Sequence, residues 1–164
     1  NVSISTKKLF LSYLRQLRII VDKTPDSFFL DTLSEGMFSL ELNAQVAANF
    51  LLRGYCPLVS VNVRSFELAA SGKDSVCRLL DQVNVYLESL PEVLEFDDLK
   101  VLSDSAGFSE VKLPQSRFIF EYIIPNYMFH VSMVYAIARK NGVPLSKGDF
   151  DGWHSYPVGF KFEP

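Results

Sequence analysis

The chain has 164 residues, a net charge of −3 and 48% hydrophobic side chains. That length suits one domain and hardly two, and so apolar a composition excludes a disordered chain. The acidic balance argues against a nucleic-acid partner, and no apolar run reaches the roughly 18 residues that a membrane span needs, so the chain reads as a soluble cytoplasmic protein whose Cys56 and Cys77 are free thiols.

In chain order, the first helix is expected from about Ser5 to Lys23, because Phe10, Tyr13, Leu14, Leu17, Ile20 and Val21 recur with helical spacing. Its basic residues, Lys7, Lys8, Arg15, Arg18 and Lys23, read as a solvated face. A short helical turn is placed around Phe28 to Leu33 in an otherwise irregular stretch. A second helix is expected from about Phe38 to Arg53, ended by Gly54 and Pro57. Residues 58–69, LVSVNVRSFELA, alternate like a strand but read better as a loop. A third helix runs from Asp74, taken as its N-cap, to Leu90, before Pro91. The stretch around Asp104 to Gly107 has turn chemistry and EVKL alternates, so a small hairpin or extended excursion is expected there. The fourth helix spans about Ser116 to Asn141, with a kink or fresh start at Pro125 and an Asn141–Gly142 C-cap. Residues 144–164 form an aromatic tail expected to pack along the helices. Four amphipathic helices with connections of varied length point to an all-α four-helix bundle, one domain over residues 1–164.

Chemistry-bearing residues fall on two helix faces. Glu41, Gln45 and Asn49 are spaced by four on the second helix, and Asn126 and His130 by four on the last. Inward side chains on facing helices build ligand sites in bundles. One reading therefore gathers Gln45, Asn49, Asn126 and His130 in an aromatic-lined pocket, with Tyr127, Phe129 and Met133 as ligand-binding neighbours. The plainer reading turns the second helix's stripe to solvent and makes His130 a hydrogen-bonded core residue. A metal site needs three or more good ligands, and the only histidines are His130 and His154, in neither HxxxH nor ExxH spacing. There is no GxSxG, P-loop or dinucleotide fingerprint. Asp151 and His154, three apart in GDFDGWHS, form either a pair or a surface turn.

The run PNYMFHVSMVYAIARKNGVPLSKGDFDG resembles the C-terminal signature of an uncharacterised family in the DinB/YfiT-like helical-bundle superfamily. The resemblance rests on Pro125, Asn126, Tyr127, Phe129, His130 and Val131, then Arg139, Asn141, Gly142 and Val143, then Lys147, Asp149, Phe150 and Gly152. A weaker similarity covers Met37 and Phe38 through Gln45 and Asn49. It implies a DinB-like four-helix bundle, up-down-down-up and often dimeric. Relatives of this type hold nickel or zinc with three histidines, and some are thiol-dependent transferases or isomerases. Here the last-helix pair reads Asn126 and His130, and no histidine falls near Gln45 or Asn49, so no bound metal or other cofactor is expected.

The leading expectation is a protein that binds a small, largely apolar molecule in the bundle pocket. It would work by metal-free acid-base chemistry through His130, oriented by Asn126, as an isomerase, cyclase or transferase. The alternatives are a divalent-metal or thiol-dependent transferase and a non-catalytic dimeric interaction protein. Neither nucleic acid nor membrane is expected as a partner.

Overall fold

The computed structural model describes residues 3–163. Asn1, Val2 and Pro164, included in the expected domain and tail, lie outside the described residues. Helix α1 (Thr6–Lys23) starts at Ser5, whose Oγ accepts from the Lys8 N–H at 3.0 Å. Its buried stripe is Phe10, Leu14, Leu17, Ile20 and Val21, the expected face apart from the half-buried Tyr13. A single 3-10 turn then covers Asp26–Phe28, displaced from the position expected around Phe28 to Leu33.

Helix α2 (Leu40–Leu58) begins two residues later than expected and runs five residues further. Its free N-terminal amides are satisfied by the loop before it: Leu40 N–H donates to Asp31 O at 2.9 Å and Glu41 N–H to Phe29 O at 3.0 Å. Gly54 does not end this helix. A Cβ there would sit 2.8 Å from Ile123 Cγ2, so the glycine exists to let α2 approach the last helix. Pro57 is accommodated within the final turn.

Residues 59–72 form a loop without a strand, as expected. Helix α3 (Lys73–Ser89) is capped by Gly72, at φ 110°, and not by Asp74, which sits in its first turn. Capping comes from other elements: Glu41 Oε2 accepts from Gly72 N–H, and Asp26 Oδ1 from Lys73 N–H, each at 2.8 Å. Local sequence therefore misplaces the cap, because the acceptors are distant in the chain.

Strands β1 (Val101–Ala106) and β2 (Ser109–Pro114) form an antiparallel hairpin with Ala106 opposite Ser109 and Gly107 in the turn. The chain is then helical from Gln115 to Lys140 in three parts. A short α4 (Gln115–Arg117) passes into a π-helical segment (Phe118–Ile123), and α5 (Ile124–Lys140) follows. Pro125 lies in the first turn of α5, where a missing N–H is best tolerated. The fresh start expected at this proline is thus a change of hydrogen-bond pattern. Gly142, at φ 81°, closes α5, with Val143 N–H donating to Ala138 O at 3.1 Å.

Helices α2 and α5 pack together, as do α1 with α3 and α2 with α3. Their apolar stripes merge into one core that includes Tyr55, Leu51, Leu79, Ile123 and Val134. The described residues are mostly helical, with one small two-stranded sheet. The tail follows the helices only in part: α6 (Lys147–Asp151) is held on α1 by Gln16 and Lys23, whereas Trp153 and Phe162 are exposed. No helix among the described residues is long and apolar enough to cross a membrane.

Candidate functional site

One groove lies between α2, the π segment, α5 and the hairpin, with a volume of about 400 Å³. Helix α2 contributes Val46, Phe50 and Arg53, which share a face at spacings of four and three. The π segment contributes Tyr122 and α5 contributes Asn126 and His130, the three spaced by four. Phe38 and the hairpin turn, Ser105 to Gly107, complete the walls.

His130 is 8% exposed, and its ring packs against three aromatic neighbours. The Phe38 and Phe50 rings stack against it at centroid distances of 6.1 and 5.8 Å, and Phe129 meets it edge-on at 5.0 Å. Nδ1 lies 2.8 Å from Asn43 Oδ1. The Asn43 amide nitrogen donates to Phe38 O at 3.1 Å and to Ser39 O at 3.0 Å, so the amide is oriented with its oxygen toward the imidazole. An amide oxygen only accepts, so Nδ1 carries the proton and Nε2 keeps its lone pair. Among the described residues Nε2 has no protein partner, and it is not sealed from solvent. The imidazole pKa is lowered, first by burial and then by the positive charge of Arg53. The ring is therefore a neutral base at neutral pH.

Arg53 stacks on Phe50, 4.0 Å from the ring centroid. Its Nε donates to Asp104 Oδ2 at 2.8 Å, and Nη2 to Ser105 O at 2.9 Å and the Tyr122 hydroxyl at 3.1 Å. Tyr122 in turn donates to Asp104 Oδ2 at 2.8 Å. Burial and that bond push the phenol up to about 12, so it stays protonated. This triad ties the hairpin to α2 and fixes the guanidinium in the groove wall.

The four-residue polar cluster expected from the sequence does not form. Asn126 and His130 do share the groove, and the Asn126 amide nitrogen is held by Tyr122 O at 2.8 Å. Gln45 and Asn49 point elsewhere. Asn49 pairs with both backbone groups of Phe66 at 2.8 Å, and Gln45 Oε1 accepts from Leu68 N–H at 3.0 Å. Glu41 continues the stripe with the Ser71 hydroxyl and Gly72 N–H. The stripe therefore neither faces solvent nor enters the pocket; it fastens the loop before α3. A loop supplies unpaired backbone groups, and these outcompete a shared site for the amides. Tyr127 is also turned away: it is 1% exposed, and its hydroxyl donates to Tyr13 O at 2.6 Å. Phe129 is 52% exposed beside His130, and neither it nor the half-buried Met133 forms a groove wall. Asp151 and His154 do pair, on an exposed turn. Among the residues that the sequence reading missed, Asn43, Val46, Phe50 and Arg53 of α2 carry a helical period of three, four and three. That period was the available signal.

The groove does not fit the nickel or zinc centre of DinB-type metalloproteins. Its one imidazole is flanked by amides and by a guanidinium that repels a cation. No group of three His, Cys, Asp or Glu side chains comes together among the described residues.

Comparison with known proteins agrees with this architecture. A crystal structure of a DinB family member protein from Shewanella denitrificans superposes with a TM-score of 0.73 at 22% identity, covering 93% of this chain and 92% of that chain. No match is found among curated proteins. A family profile, Domain of unknown function (DUF1993), matches residues 8–151. The chain belongs to the DUF1993 family, an uncharacterised family with a DinB-like fold.

Proposed function

We propose that this DinB-like four-helix bundle binds a small, largely apolar molecule in the groove beside His130. Acid-base chemistry there runs through Nε2, without a metal. The observation that carries the reading is the His130 ring itself: Nδ1 is held by Asn43 while Nε2 has no protein partner among the described residues, and the residue lines an aromatic-walled groove. A core histidine with a purely structural role satisfies both nitrogens. Asn126 completes the polar side of the site at an amide already steadied by Tyr122 O. The chemistry open to one neutral imidazole in such a site is proton transfer, which serves an isomerase or cyclase.

The test is a screen of small aromatic and alicyclic compounds against isotope-labelled protein by nuclear magnetic resonance. Binding is expected to shift signals of Val46, Phe50, Ala106 and His130 together, and Val46→Trp, which fills the groove, is expected to abolish those shifts. Compounds that perturb only other surfaces, or none that bind, would overturn the reading in favour of a structural His130.

A further inference from the structure

The Arg53 guanidinium is more than a strut. Nε and Nη2 are committed to Asp104, Ser105 O and Tyr122, while Nη1 donates to no protein atom among the described residues. No side-chain nitrogen in the described core is both buried and without a partner, so Nη1 is reachable. The guanidinium plane is fixed by three bonds and by the Phe50 face beneath it, so the remaining N–H groups are pre-aimed. The same groove is lined by His130, whose Nε2 is unprotonated, and by Asn126, whose amide oxygen is not engaged by the protein among the described residues. A fixed cationic donor and a neutral base on one apolar groove match a particular ligand chemistry: an oxygen that gains negative charge when a neighbouring carbon loses a proton.

We propose that Arg53 is the oxygen-recognising residue of this groove and that its ligands are apolar or aromatic carbonyl compounds with an enolisable C–H bond. The inference rests on the groove being a ligand site at all. The Nε2 lone pair takes the proton from the α-carbon. The C–H electron pair becomes a C=C bond, and the carbonyl π pair moves onto oxygen, where the Arg53 Nη1 hydrogens hold the enolate. The imidazolium, still bonded to Asn43 through Nδ1–H, returns its proton to carbon. Return to the same carbon exchanges hydrogen with solvent; return to a conjugated carbon isomerises the compound. No oxidant, reductant or other reactant is needed. Asp104 keeps Arg53 from drifting.

The probes are phenylacetone, which has the oxygen and the acidic C–H, and propylbenzene, of similar shape without the oxygen. Phenylacetone is expected to bind at the groove on the order of 10-fold tighter, the value of one charge-assisted hydrogen bond. In deuterium oxide the protein is expected to accelerate loss of its benzylic proton signals. Arg53→Met is expected to erase the preference for phenylacetone over propylbenzene, and His130→Gln to stop exchange while both probes still bind. Arg53→Met in an Asp104→Asn background guards against misfolding from a stranded carboxylate. Equal affinity of the wild-type protein for both probes, or exchange that survives His130→Gln, would overturn the inference and leave the groove as an apolar binding site. Failure of both probes to bind would remove the groove reading with it.

Discussion

Asn43 Oδ1 stands 2.8 Å from His130 Nδ1, and two backbone carbonyls, of Phe38 and Ser39, hold that amide in place. One asparagine in the first turn of α2 thus decides which nitrogen of the sole groove histidine is basic.

Replacing Asn43 tests this arrangement directly. Asn43→Leu is expected to let the Nε2-protonated tautomer appear in long-range proton–nitrogen spectra, where the wild-type protein gives the Nδ1-protonated pattern alone. The stability loss is expected at about 1–3 kcal/mol, because the imidazole N–H loses its acceptor in a buried setting.

A second expectation concerns pH. The folded-state pKa of His130 lies below the ordinary 6.5, through burial and then Arg53. The unfolded chain therefore binds this proton more readily than the native one. Stability from this group is fully present above the unfolded value and is lost as pH falls from there through the folded value. Chemical denaturation between about pH 8 and about pH 5 is expected to show a downward slope that flattens in His130→Gln. An unaltered slope would assign the acid sensitivity to other groups.

Gly54 offers a packing test. Its absent Cβ would meet Ile123 Cγ2 at 2.8 Å and Cγ1 at 2.9 Å, and Ile123 is fully buried. Alanine normally favours a helix over glycine by ~1 kcal/mol. Here Gly54→Ala is expected to destabilise by a net ~1–2 kcal/mol, since overpacking a filled core costs more than the helix gains. A rise in melting temperature would show that α2 and the π segment can separate freely.

The stripe on the other side of α2 should behave independently of the groove. Asn49→Ala removes both bonds to the Phe66 backbone and Gln45→Ala the one to Leu68 N–H. Faster amide exchange is expected at Phe66 and Leu68 respectively, with a stability loss of about 1–2 kcal/mol for Asn49→Ala. Ligand shifts at His130 are expected to be unchanged; if they vanish, the loop and the groove are coupled.

Periodicity was enough to locate the long helices, although Gly54 and Pro57 misplaced the end of α2. The apolar spacing from Phe10 to Val21 specified the buried face of α1, Asn141–Gly142 its counterpart's end on α5, and the alternation around Gly107 the hairpin. These features are local: each depends on side-chain spacing or on one residue's φ, which neighbours in sequence determine. His130 and Asn126 were also legible as one face, because four residues make nearly one helical turn. What lies opposite that face was decided only in three dimensions. Gln45 and Asn49 have the right chemistry for a pocket, but the loop at Phe66 and Leu68 presented unpaired backbone groups and captured them. Asp74 has the chemistry of a cap, yet Glu41 and Asp26 reach the start of α3 from elsewhere in the fold. Arg53 sits near the end of an apolar helix in the sequence. It becomes a fixed groove residue only when the hairpin brings Asp104 to its Nε and α5 brings His130 alongside. Polar side chains follow whichever partner the fold places within about 3 Å, and that choice is made by tertiary contacts rather than by spacing along the chain.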